Sequence, residues 1–235
     1  MASEKNGEKR WVPLESNPEV MSKYLYDMGM SKDWQFEDVI GLEPELLGMV
    51  TQPVAALMLL FPLSEKIKEA EKKEVERIEK DGNTVNPDVY FMKQFVGNAC
   101  GTVGLLHAVL NNQKSIPLDG TLRKFADYTK DLTPEDRGHR LEEDEDIHAA
   151  HEKSAQEGQT EAPPASESVQ PHFVALVNNN DTLYELDGRK AFPISHGSTS
   201  ADSLLQDAAK VCKRFMELDP SELRFTVMAL VPVQA

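Results

Sequence analysis

The sequence predicts an α+β fold, a sheet flanked by helices, and three observations carry that expectation. Capped helical segments are mixed with short apolar runs bounded by helix breakers. Late in the chain, His172–Val177 and Thr182–Asp187 flank the turn-rich Asn178-Asn179-Asn180-Asp181, a hairpin pattern of antiparallel pairing. No internal repeat and no sharp composition shift cuts the 235 residues, so residues 10–235 are expected as one domain behind a flexible tail over residues 1–9.

Taken in order, Asn17-Pro18-Glu19 precedes Val20, Tyr24, Leu25 and Met28, and Gly29 follows. That is the side-chain cap, first-turn proline and terminal glycine of a helix. Val54 to Phe61 is an apolar run of eight between Pro53 and Pro62, too short for a helix and suited to a fully buried strand. Ser64 to Lys80 is a charged helix with a thin apolar face at Ile67, Ala70, Val75 and Ile78, expected on the surface. The segment from Cys100 is apolar nearly all round, at Val103, Leu105, Leu106, Val109 and Leu110, which predicts a central buried helix. Thr133-Pro134-Glu135 opens another capped helix. From Glu142 to Ser168 the chain is rich in Glu, Asp, Ala, Ser and Gln and holds Pro163-Pro164, so a long flexible crossing segment is expected there. A helix from about Ala201 to Leu218 carries Leu204, Leu205, Ala208, Val211, Cys212 and Phe215 on its apolar side, and Arg224–Val233 is the final strand.

Composition narrows the function classes. A net charge of −15 disfavours nucleic acid and anionic membranes, and fits either a basic partner or solubility alone. Over half of it lies between Asp131 and Glu161, where eleven acids face three bases. Two distant cysteines, Cys100 and Cys212, form neither a disulfide framework nor a metal-ligand pattern. The first ten residues lack the apolar core of a signal peptide, and a run of eight cannot span a bilayer. A soluble, cytoplasmic chain in a reducing compartment is expected, with no cofactor and no metal.

The chemistry turns on Cys100, at the point in Gln94-Phe95-Val96-Gly97-Asn98-Ala99-Cys100 where a loop becomes a helix. An isolated cysteine is most often a small buried hydrophobe, the reading given to Cys212. A helix N-terminus differs, because free backbone N–H groups and the dipole favour the thiolate. A thiolate nucleophile needs a base, and the base an orienter. Among the six histidines, His107 lies about two helical turns from Cys100, too far to reach the thiol. His139, His148 and His151 sit among acids and read as solvated; the His148–His151 pair lacks further ligands for a metal. His196 lies in a Gly/Ser-rich loop and shows no partner. His172 opens an apolar strand, and a turn centred on Asn179–Asn180 places Asp187 directly opposite it. An Asp there can fix the imidazole tautomer. Gln94 is a candidate amide donor to an oxyanion, or equally a surface amide.

These residues together resemble the ubiquitin carboxyl-terminal hydrolases, the small single-domain cysteine proteases. The resemblance rests on Gln94 with Asn98-Ala99-Cys100-Gly101-Thr102, on His172-Phe173-Val174-Ala175-Leu176-Val177, and on Leu183-Tyr184-Glu185-Leu186-Asp187-Gly188-Arg189. Trp11-Val12-Pro13-Leu14-Glu15-Ser16-Asn17-Pro18 and Glu157-Gly158-Gln159-Thr160-Glu161-Ala162-Pro163 share it, the latter with the short isozymes, and it extends from Arg10 to about Leu230. It implies a papain-like fold with helices on both sides of a mostly antiparallel sheet, and a knotted backbone whose first and last strands lie inside that sheet. It implies Cys100 as nucleophile, His172 as general base and acid, Asp187 as orienter and Gln94 as oxyanion donor. The acidic segment would be the crossover loop that limits leaving-group size.

The implied partner is ubiquitin, whose tail bears arginine, and the chain is expected to act as a monomer. Asp38 matches a position that holds a tail arginine, and is otherwise an ordinary surface acid. Trp11, Pro13 and Leu14 belong to the ubiquitin-binding surface or to the core. The leading expectation is a deubiquitinating thiol protease cutting after ubiquitin's C-terminal glycine. A non-catalytic ubiquitin binder and a hydrolase preferring a ubiquitin-like modifier stay open as alternatives.

Overall fold

The computed structural model describes residues 9–159, 163–167 and 169–234. Residues 1–8 of the expected tail, and residues 160–162 and 168 of the expected crossover, lie outside the described residues. Helix α1 (Pro18–Met28) starts where Asn17 Oδ1 accepts from the N–H groups of Glu19 and Val20, and ends at Gly29 in a left-handed conformation. Strand β1 (Trp34–Asp38) and the single turn α2 (Pro44–Leu47) precede β2 (Ala56–Pro62). Ser64 caps α3 (Glu65–Asp81), which buries only Ile67 and Glu71, as its thin apolar face predicts. Then follow α4 (Cys100–Leu110), every residue of it buried, α5 (Gly120–Thr129) and α6 (Pro134–Glu143).

The acidic segment departs from expectation. Residues Glu145–Ala155 form helix α7, capped by Asp144, instead of a flexible crossing segment. Ile147, His151, Ser154 and Ala155 make its buried stripe, at the i, i+4, i+7, i+8 spacing of one helix face. The acids occupy its solvated side, where they oppose neither capping nor packing.

Strands β3 (Pro171–Asn179), β4 (Thr182–Leu186), β5 (Ile194–Ser198) and β6 (Thr226–Pro232), with α8 (Leu204–Leu218) before β6, complete one six-stranded sheet of order β1-β6-β2-β3-β4-β5, every pairing antiparallel. The last strand lies inside the sheet, whereas β1 is an edge strand, unlike the implied arrangement. Side chains alternate between two cores. Met58, Phe173, Ala175 and Met228 join the core built on α1 and α4, and Leu57, Leu59, Val174 and Ala229 join the one built on α8. This is the expected α+β sheet, flanked by helices on both sides.

The hairpin register also differs. Asn180 and Asp181 both adopt positive φ, 48° and 57°, the geometry of a two-residue type I′ turn. Pairing therefore runs Asn179↔Thr182 and Ala175↔Leu186, two residues away from the expected frame. Asp187 is diagonal to His172 and on the same face, because a shift of two preserves strand parity.

Candidate active site

Cys100 is the first residue of α4, following Asn98 at φ 61° and Ala99 as the N-cap. Its helix sits close against the sheet because Gly101 and Gly104 carry no Cβ. A Cβ on Gly104 would lie 2.6 Å from Met58 Cε, and one on Gly101 3.5 Å from Phe173 Cδ2 on the sheet and 3.2 Å from Leu14 on the groove wall. This close approach brings the thiol to the start of β3. There the His172 ring and the Phe173 backbone N–H both favour its charged form. Burial alone would push the thiol pKa up; the His172 hydrogen bond and charge outweigh it and leave it lowered.

His172 is buried, with the Phe61 ring edge-on at 5.9 Å. Its Nε2 lies 2.8 Å from Asp187 Oδ1, which leaves Nδ1 for the thiol. Burial opposes the imidazolium, but Asp187 and then Cys100 favour it, and the His172 pKa is raised to about 9. Asp187 is fully buried; burial opposes its charge, yet His172 and Arg189 hold its carboxyl well below the usual carboxylate range. The Arg189 N–H donates to Asp187 Oδ1 at 2.9 Å, and Nη2 donates to Oδ2 at 2.7 Å and to Glu71 Oε2 at 3.0 Å. Arg189 Nε also comes within 3.0 Å of His172 Nε2. With the ring proton committed to Asp187, that guanidinium N–H is turned onto the same carboxylate oxygen, 3.4 Å away.

Gln94 lies in the loop before α4. Its Nε2 donates to the Val96 carbonyl at 2.9 Å, and Oε1 is buried without a partner. Nε2 carries two hydrogens, so one N–H is left to offer. Its backbone N–H donates to Gly188 O at 2.8 Å, tying this loop to the residue after Asp187.

Beside Cys100 runs a groove of about 260 Å³, lined by Pro13, Leu14, Leu60, Gly101, Pro163 and Phe173 among others. Glu15 and Ser16 are shared with a second groove of about 580 Å³, which adds Glu19 and Asp38. Asp38 is exposed there, and Glu15 and Glu19 join it as acids that the sequence reading passed over. Trp11 is 1% exposed and packs behind the wall that Pro13 and Leu14 present.

Other histidines leave the places expected of them. His151 is fully buried rather than solvated, and His196 on β5 has partners, Glu185 Oε2 at 2.9 Å and Arg214 Nη2 at 3.0 Å. His107, too far for the thiol, accepts from the Met92 N–H at 3.0 Å. Cys212 is wholly buried on α8, and burial pushes its thiol up to about 12. Among the described residues no helix is long and apolar enough to cross a membrane.

Comparison with known proteins follows the same line. Residues 11–217 match the family model described as ubiquitin carboxyl-terminal hydrolase, family 1. A ubiquitin carboxyl-terminal hydrolase of Drosophila melanogaster is 52% identical over 225 residues, covering 95% of this chain and 98% of the relative. Isozyme L1 of Rattus norvegicus is 49% identical over 93% of this chain and 96% of its own. The crystal structure of the Trichinella spiralis UCH37 catalytic domain bound to ubiquitin vinyl methyl ester superposes with a TM-score of 0.79 at 30% identity, covering 97% of each chain.

Proposed function

This chain belongs to ubiquitin carboxyl-terminal hydrolase family 1, and from that premise we propose how its own residues carry the reaction. It is a deubiquitinating thiol hydrolase, a cysteine peptidase acting on ubiquitin's C-terminal bond. The observation that carries the residue assignment is the cluster Cys100, His172 and Asp187: His172 Nε2 lies 2.8 Å from Asp187 Oδ1, the thiol is lowered by His172, and the imidazole is raised by Asp187 and then Cys100. Cys100 is the nucleophile, paired as thiolate with imidazolium before substrate arrives. It adds to the carbonyl of the terminal glycine of ubiquitin. The oxyanion forms at the start of α4, where the Cys100 backbone N–H and the spare Gln94 N–H are the donors. His172 then gives its proton to the leaving amine, and the C–N bond breaks to leave a thioester on Cys100. A water attacks that thioester, His172 takes the water's proton, and ubiquitin leaves with a free carboxylate. Asp187 keeps the ring in the required orientation throughout.

Pro13 and Leu14 line the groove for the narrow glycine end of the tail. Asp38, with Glu15 and Glu19 beside it, receives the basic part. Trp11 serves substrate binding from behind the wall. One domain over residues 10–235, acting as a single copy, suffices for this, since nucleophile, base and orienter all come from one sheet-and-helix unit. The leaving groups are short peptides and small adducts.

A ubiquitin C-terminal fluorogenic substrate tests the assignment. Cys100→Ala is expected to abolish turnover while ubiquitin still binds, and Asp187→Asn to lower kcat by about 10²- to 10⁴-fold. Turnover that survives in Cys100→Ala would overturn it. Competition between ubiquitin and a ubiquitin-like modifier, read as kcat/KM, decides the modifier preference; inertness toward a ubiquitin-derived electrophile would indicate a binder instead.

A further inference from the structure

Buried on the opposite side of the groove wall from the substrate is a second ordered chain of polar groups. His151 on α7 is fully buried, and its Nε2 lies 2.6 Å from the Val12 carbonyl. A carbonyl only accepts, so Nε2 carries the proton. Burial holds the ring neutral, so Nδ1 is bare and accepts from the Thr102 hydroxyl, 2.8 Å away on the helix that begins with Cys100. With its proton spent, Thr102 Oγ1 accepts from the Tyr24 hydroxyl at 3.1 Å. With the ring neutral, every proton in the chain Tyr24–Thr102–His151–Val12 has one direction. Burial lowers the His151 pKa to about 4 and keeps it neutral.

Aromatic packing locks the same ring. Trp11 stacks on His148 at 5.1 Å and meets His151 at 4.6 Å, its indole N–H buried without a partner. The indole is therefore held there by its ring faces. Beyond Val12 the chain runs as Pro13, Leu14, Glu15 and Ser16, all lining the groove, with no helix or strand of its own. Among its anchors are the Trp11 N–H to Gly97 O, Asn98 Nδ2 to Trp11 O, His151 to Val12 O, and the Gln159 N–H to Glu15 Oε2.

We propose that His151 is a positioning residue for substrate binding, fixing the Val12–Ser16 wall at a set distance from the helix that carries Cys100. The proposal rests on the groove being the substrate's, as assigned above. It touches neither the thiol nor its base, so its effect belongs in KM and not in the chemistry.

The test uses the full chain and the fluorogenic ubiquitin substrate, with Cys100 alkylation by a small chloroacetamide as a second readout that needs the thiolate but not the wall. His151→Phe keeps an aromatic ring, though a larger one, and loses both hydrogen bonds; KM is expected to rise about tenfold, with kcat within about twofold and alkylation unchanged. His151→Gln places an amide N–H within reach of the Val12 carbonyl and is expected to restore KM to within about threefold. Thr102→Val removes the hydroxyl that holds Nδ1 and should raise KM in the same direction. An unmoved KM in His151→Phe, a fall in kcat and alkylation together, or a Gln variant as impaired as Phe would each overturn the proposal. If His151→Phe does not fold, Thr102→Val decides it: an unchanged KM there overturns it. Retained turnover in Cys100→Ala would instead defeat the underlying function, so the two failures are distinct.

Discussion

At Cys100 and His172 two groups shift toward each other: the thiol falls below its ordinary 9.0 and the imidazole rises from 6.5 to about 9. The ion pair therefore exists between the two, and the macroscopic values belong to the pair. Alkylation of Cys100 should stay fast below pH 9 in the native enzyme, and kcat/KM should fall on the alkaline side with a midpoint near 9 as His172 deprotonates. In His172→Asn the thiol loses its partner and alkylation should need alkaline pH; an unshifted profile would show that the pair does not form. The stability sign follows. A base whose pKa is raised in the folded state contributes stability that is full below pH 6.5 and is lost as pH rises through about 9. Urea titrations at pH 6 and pH 9.5 measure that loss, which should shrink in the same variant.

The β3–β4 hairpin connects that residue chemistry to the element that holds it. Asn180 and Asp181 carry the positive φ values of a type I′ turn, which Gly tolerates best and a β-branched residue worst. Asp181→Gly should stabilise by about 0.5–1 kcal/mol at unchanged kcat, and Asn180→Val should destabilise by about 1–2 kcal/mol. Because β4 delivers Asp187, the Val variant should also lose kcat; denaturant melts beside rate measurements check both. The sequence carried the strands here but not their frame, for a physical reason. Four successive residues, Asn178 to Asp181, all tolerate the left-handed region, so three adjacent two-residue turns compete. Moving the turn by one residue shifts pairing by two and keeps every face, so His172 and Asp187 share a face in all three. That is why the shared face of His172 and Asp187 was legible while the register was not. Helix α7 was missed differently: among its buried residues Ile147 is the only large aliphatic, and His151 reads as polar in a run of acids until Trp11 and Thr102 are folded against it. The burial of His196 beside Glu185 likewise exists only once β4 and β5 pair.

Over the whole molecule the net charge is −15, and part of it lies at the site. Glu15, Glu19 and Asp38 line one groove continuous with that of Cys100, where an arginine-bearing tail would lie. Charge acting there is exposed and solvent-screened, whereas Cys100, His172 and Asp187 are buried and screened little. The two should therefore separate with salt. Raising ionic strength from about 0.01 to 0.15 M shortens the Debye length from about 30 to 8 Å, which removes long-range attraction of a basic substrate. The expected result is a fall in kcat/KM of about tenfold with kcat nearly constant. Asp38→Asn and Glu19→Gln should each lower kcat/KM at low salt and flatten the dependence, with the double variant flatter still. A flat response in the native chain would reduce the acidic surface to a solubility feature. A kcat that fell in parallel would mean instead that salt reaches the Cys100–His172 pair, contrary to its burial.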